Sequence, residues 1–204
     1  MGTGGPSPKV ERAAWPSFLR GKSSEEILPR LSEGDPLHLR EGSARRLREI
    51  WFLLDPDRVY LRALAVCADA VPCEEPPADL SAWTQGKIDL AIQQLVSKDL
   101  DAELAHPELL TDEEKNFPLL TDCLMLEPDL VRAASVAFNS LEPLPRRAFF
   151  ELLVVGRELE EVIEAGPWDR DGLYEAVQTA LATLGLDVLP EPPEDRPPEK
   201  GKKR

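Results

Sequence analysis

The chain has 204 residues, 42% of them apolar and 6% aromatic, with a formal net charge of -14. Such a length fits one domain or two small ones, and that apolar share fills a core without disulfides or metal. The charge repels phosphate backbones at long range, which disfavours nucleic-acid binding by the whole surface and leaves room only for a local patch.

Residues 1 to 22 hold Gly, Pro, Ser and scattered charge, with Trp15, Phe18 and Leu19 as large apolar groups. They read as a flexible arm that docks by its aromatics. The start MGTGGPSPK has no hydrophobic run behind its Lys, so no signal peptide is expected, and Pro6 breaks the myristoylation pattern.

From 23 to 128 the chain reads as short helices separated by proline. Ser23 with Glu26 makes a capping box ahead of Ile27, Leu28 and Leu31. The next helix is predicted to start at Ser43 and to align Leu47, Ile50, Trp51 and Leu54 at the i, i+3, i+4, i+7 spacing. Arg40, Arg45, Arg46 and Arg48 around it form the densest basic cluster, read as a solvated face paired to nearby acids in preference to a nucleic-acid contact. Asp55-Pro56 caps a third helix with Tyr60, Leu64, Cys67, Ala68 and Val71 on one face. Asp79 caps a fourth, whose amphipathic run from Trp83 to Leu95 carries Ile88, Ala91 and Ile92. Residues 104 to 128 are broken by Pro107, Pro118 and Pro128 and read as a loop with one short helix around Leu119 to Leu126. No stretch has the roughly 18 to 20 continuous apolar residues of a membrane span, so no membrane partner is expected.

The pattern sharpens from Asp129. Leu130, Ala134, Ala137, Phe138 and Leu141 share a helical face, and Pro143 and Pro145 start a new helix, LPRRAFFELLVV. Gly156 interrupts it, RELEEVIEAG follows as a short helix, and Gly166-Pro167 gives a turn. The last helix, Arg170 to Leu184, aligns Leu173, Val177, Ala180, Leu181 and Leu184. Three short helices with a glycine-bearing link between the second and third describe a helix-turn-helix unit. The tail from 187 to 204 is rich in proline and ends in a basic run, a composition that cannot pack and is expected to be disordered.

Cys67, Cys73 and Cys123 are odd in number without CxxC spacing, and His38 and His106 lie far apart. This argues for reduced thiols in a cytoplasm and against a metal site. Cys67 reads as a small buried hydrophobe. Paired acids such as Glu160 with Glu161 and Asp112 with Glu113 have no nucleophile or base at an activating spacing, and no phosphate loop is present. No enzyme and no cofactor are expected.

The string from Asn139 to Gly185 resembles region 4 of RNA polymerase sigma factors of the extracytoplasmic-function type. The positions that carry the likeness are Leu144, Pro145, Arg147, Phe150, Leu152, Gly156, Leu159, Glu161, Val162, Gly166, Val177, Ala180, Leu181 and Leu184. They cover roughly the last quarter of the chain. The resemblance implies a third helix that reads a promoter major groove and a domain surface that touches the polymerase core. The charge departs from that pattern, since residues 139 to 185 hold four Arg and no Lys against nine Asp and Glu, a net of -5. Upstream, WFLLDPDRVYLRAL and AWTQGKIDLAIQQL are helical without a distinct region 2 signature.

The expected architecture is all-α, an N-terminal helical bundle over 23 to 128 followed by a three-helix helix-turn-helix unit over 129 to 186. Two functions stay open. One is a sigma-factor-like protein that acts in transcription through polymerase or promoter contact, with DNA binding disfavoured by charge. The other is an acidic helical module that binds a protein partner and no DNA. Candidate nucleic-acid or partner contacts are Arg146, Arg147, Arg157 and Arg170, with Tyr174 and Gln178 on the outward side of the last helix. Trp51, Trp83, Phe149 and Phe150 are expected in the core.

Overall fold

A computed structural model describes residues 14–21, 23–105, 124–127 and 130–186. Among these the chain is all-α, with eight α-helices and no strand. No described helix is long and apolar enough to cross a membrane. The helices are α1 (Ser24–Ser32), α2 (Leu39–Ile50), α3 (Pro56–Ala70), α4 (Leu80–Ala105), α5 (Val131–Asn139), α6 (Pro143–Phe149), α7 (Leu159–Ala165) and α8 (Arg170–Thr183). They fall into two compact units. The first takes the described residues of Met1–Arg46 and Asp55–Lys98, and the second those of Leu47–Leu54 and Asp99–Arg204. The units divide the chain at 98/99, where the sequence places the boundary at 128/129, and they group the 47–54 segment with the C-terminal helices.

In the first unit, α1 packs against α3 and against a short 3-10 turn, Ser17–Leu19. Leu19 is fully buried and Trp15 meets Trp83 edge to face at 5.1 Å, so this part of the N-terminal arm is docked. Aspartates start three of the helices, since their carboxylates satisfy N–H groups that have no partner in the first turn. Asp35 accepts from Leu39 and Arg40 at 2.9 Å each, which starts α2 four residues before Ser43. Ser43 is instead buried within that helix. Asp55 accepts from the Asp57 amide at 2.8 Å, and Asp79 from Ser81 and Ala82 at 2.8 and 3.1 Å, as the spacing of both predicts. Ser23 stands at the N-cap of α1, but its hydroxyl makes no cap bond.

The core of this unit is aliphatic, with Ile27, Leu31, Val59, Leu64, Cys67, Ile88, Ala91, Ile92 and Leu95 buried. Burial pushes the Cys67 thiol up to about 12. Around it, Arg46 and Asp89 make a two-bond ion pair at 2.6 and 3.0 Å, and Arg40 joins Asp57 at 2.6 Å. Two members of the basic cluster are thus matched to aspartates. Trp83 is half-buried, between Trp15 and the Lys87 ammonium, 5.2 Å from its ring. α4 runs well past Leu95, the end the amphipathic pattern gave it, because no Pro or Gly stands between Leu95 and Ala105.

In the second unit, α6 packs against α8, and α5 also meets α8. LPRRAFFELLVV begins as α6 and continues as one wider π turn, Phe150–Val154, closed by a 2.8 Å bond from the Val155 amide to the Phe150 carbonyl. Gly156, at φ +74°, ends it in a left-handed conformation that glycine adopts without a Cβ clash. Asp169 caps α8 by accepting from Gly172 at 2.8 Å. Gly185, at φ +72°, closes α8 with bonds from its own amide to Ala182 and from Leu186 to Leu181. The interior is aromatic. Phe138, Phe149 and Phe150 sit with ring centroids 4.9 to 6.2 Å apart, beside Val162, Leu173, Val177, Leu181 and Leu184.

The buried face of α5 is turned by one position from the expected one. Val131, Ser135, Phe138 and Asn139 face inward, while Leu130 is exposed. A hydrophobic count cannot see a polar pair that is buried because it has partners of its own. The helix expected around Leu119 to Leu126 lies largely outside the described residues, and Leu124–Glu127, which are described, are not helical. The tail expected over 187–204 and the arm before residue 14 lie outside them as well.

Candidate functional site

Those polar partners belong to the 47–54 segment. α2 stops at Ile50 because Trp51 takes φ +58°, which turns the chain left-handed and lets the Phe52 amide bond the Leu47 carbonyl at 3.1 Å. That closure normally uses glycine, and a left-handed L-residue costs about 1–2 kcal/mol. Trp51 is therefore half-buried past the helix end, not on the α2 stripe. The next residues, 52 to 54, are neither helix nor strand and belong to the second unit. Asn139 there reads the backbone of Leu53 on both sides, accepting from its amide at 2.8 Å and donating to its carbonyl at 2.7 Å. Ser135 donates to the same carbonyl at 2.5 Å. Leu53 and Leu54 are buried at 2% and 3% exposure.

Two of the candidate arginines complete the arrangement. Arg146 is only 8% exposed, and its guanidinium lies 4.0 Å from the centroid of the Phe52 ring. Its Nε and Nη1 are buried with no hydrogen-bond partner. Burial pulls its pKa below the ordinary arginine value, with the Glu142 carboxylate opposing the shift. Arginine nevertheless stays protonated, so the stacked ring is its main compensation. Arg147 lies between two indoles, 5.4 Å from Trp51 and 5.2 Å from Trp168, and donates to the Ala165 carbonyl at 3.3 Å. Gly166 makes that stack possible, since a Cβ there would stand 2.3 and 2.4 Å from Trp168 ring atoms.

The remaining candidates are placed differently. Glu151 draws in two cations, Arg147 at 3.5 Å and Arg157 at 2.8 Å. Arg170 pairs with Glu160 at 3.2 Å on the exposed surface. Tyr174 and Gln178 are half-buried on α8. The structure thus brings Arg146 and Arg147 together beneath Trp51 and Phe52, with Arg157 joined to Arg147 through Glu151. It leaves Arg170 in a separate pair. An outward, unengaged row of cations, which phosphate contact requires, is not what these four arginines form.

Ser135 and Asn139 are the residues that sequence reasoning missed. The available signal was the aromatic–aromatic–Leu–Leu run of residues 51 to 54, too apolar to leave the end of a helix in solvent. Among the described residues no three His, Cys, Asp or Glu gather as a metal site. The chain matches no protein-family model, no curated protein and no solved structure.

Proposed function

We propose that the chain is a sigma-factor-like protein that acts in transcription through contact with the RNA polymerase core, and that promoter reading is degenerate. One observation supports this reading: six apolar positions of the region 4 pattern lie in the interior of the second unit. Phe150, Val162, Val177, Ala180, Leu181 and Leu184 are buried together. Gly156 and Gly166 stand at the two breaks between helices. The degenerate half of the reading rests on charge. The segment carries a net of -5, and its four arginines are stacked or ion-paired within the chain. In this reading the trihelical scaffold is kept as a protein-facing surface of a cytoplasmic factor.

A second reading, an acidic interaction module with neither DNA nor polymerase as partner, gains from that same engagement of Arg146, Arg147, Arg157 and Arg170. Two measurements separate the readings. Purified chain is titrated with duplex DNA over a range of salt, where the absence of a counterion-release slope is expected. It is also passed over immobilised core polymerase, where retention is expected. A salt slope reinstates promoter reading, and failure to bind core leaves the acidic module.

A further inference from the structure

The contacts made to residues 51 to 54 are those a recognition groove makes to a bound peptide. An extended peptide is held by its main chain for affinity and by side-chain pockets for selectivity. Here Asn139 matches the amide and carbonyl of one residue, Leu53, and Ser135 reinforces the carbonyl. The residues on either side are read by their side chains, with guanidiniums stacked over Trp51 and Phe52 and Leu54 buried. The segment is also remote from its receptor in sequence, 86 positions from Asn139. It groups with the second unit, while the chain before Leu47 and after Leu54 belongs to the first.

An interior designed only for stability would look different. Ser135, Asn139 and Arg146 are polar side chains more than nine-tenths buried, and two nitrogens of Arg146 are left without hydrogen bonds. Trp51 holds a backbone conformation that bulky L-residues avoid. Buried polar groups of this kind favour one register of the segment over others more than they favour burial itself.

We propose that the face built by Ser135, Asn139, Arg146 and Arg147 is a recognition site for an extended peptide of a partner protein, with an aromatic pair followed by two aliphatic residues. The chain's own Trp51–Leu54 segment fills it in cis. Tethering gives that segment an effective concentration of about millimolar, so a partner peptide enters only when the cis segment is loosened. The inference does not depend on the polymerase reading, and its test makes no use of polymerase or DNA.

The probe is a fluorescein-labelled peptide of residues 49 to 56, Glu-Ile-Trp-Phe-Leu-Leu-Asp-Pro, added to the full chain. Polarisation is expected to show at least tenfold tighter binding to the Phe52→Ala/Leu54→Ala variant than to the unaltered protein. Adding Asn139→Leu to that variant is expected to remove the gain. A variant that keeps its helical circular dichroism yet binds the peptide no better than the unaltered chain overturns the proposal. If the variant does not fold, native-state hydrogen exchange on the unaltered chain decides. The Leu53 amide is expected to exchange through a local opening while the amides of Phe138 and Phe149 stay protected. Exchange of Leu53 only together with those two overturns it.

Discussion

The two units solve the same problem, burying one face of each helix, with different chemistry. The first uses aliphatic side chains, aspartate caps and ion pairs at its rim, such as Arg46 with Asp89. The second uses an aromatic trio, stacked guanidiniums and a polar clamp on the Leu53 backbone. Aliphatic packing is non-directional and repacks after a small change. Rings, amide pairs and cation stacks fix angles, so the second unit is the more specified of the two and the less forgiving.

The largest test of that contrast is Phe149→Ala. Phe149 is fully buried at the centre of the trio, and truncation of such a ring costs about 3–5 kcal/mol. Urea unfolding should place it above Ile92→Ala in the first unit, where the same truncation to alanine is expected to cost about 2–5 kcal/mol. Equal losses would erase the distinction.

Gly166→Ala comes next. The new methyl would collide with the Trp168 ring and approach the Val162 carbonyl at 2.9 Å, forcing the indole off Arg147. Overpacking of this kind costs about 1–3 kcal/mol. A thermal melt measures the loss, and a change in tryptophan emission marks the displaced indole. Unchanged emission would mean that the stack does not constrain the turn.

The first unit has a pH signature of its own. The Cys67 thiol ionises near 12 in the fold against an ordinary value of 9.0. Below pH 9 both states are neutral and nothing is lost. Between 9 and 12 the unfolded chain ionises while the fold resists, so stability falls as pH rises. The slope has an upper limit of about 1.4 kcal/mol per pH unit. Cys67→Ala should flatten the fall between pH 9 and 11 relative to the unaltered protein, and an unchanged slope would dissociate the burial from the titration. Arg170→Ala is expected to do least. Its pair with Glu160 is exposed at 51% and 68%, and such pairs contribute about 0–1 kcal/mol.

The all-α class was legible because its signals are local. Asp55 and Asp79 sit one residue before or at the start of proline- or turn-delimited stripes, and both cap as read. The breaks at Gly156 and Gly166 were legible for the same reason. What escaped was a cap set further from its helix than the usual spacing, and the features that need a partner remote in sequence. Asp35 starts α2 ahead of Ser43 by a carboxylate reaching four residues on, and Ser135 and Asn139 turn α5 inward because of Leu53. Arg146 and Arg147 stood out in the sequence as cations at the head of a helix. Their surroundings, Phe52, Trp51 and Trp168, come from three places along the chain, and no helical period links them.

The four tryptophans of the chain divide evenly, Trp15 with Trp83 in the first unit and Trp51 with Trp168 in the second. Each unit therefore carries its own intrinsic chromophores. Replacing Trp15 and Trp83 by Phe would leave a protein whose ultraviolet emission reports on the second unit alone, and the reciprocal pair would report on the first. Whether the halves lose their structure at one temperature or at two then becomes readable in a cuvette, without any attached dye.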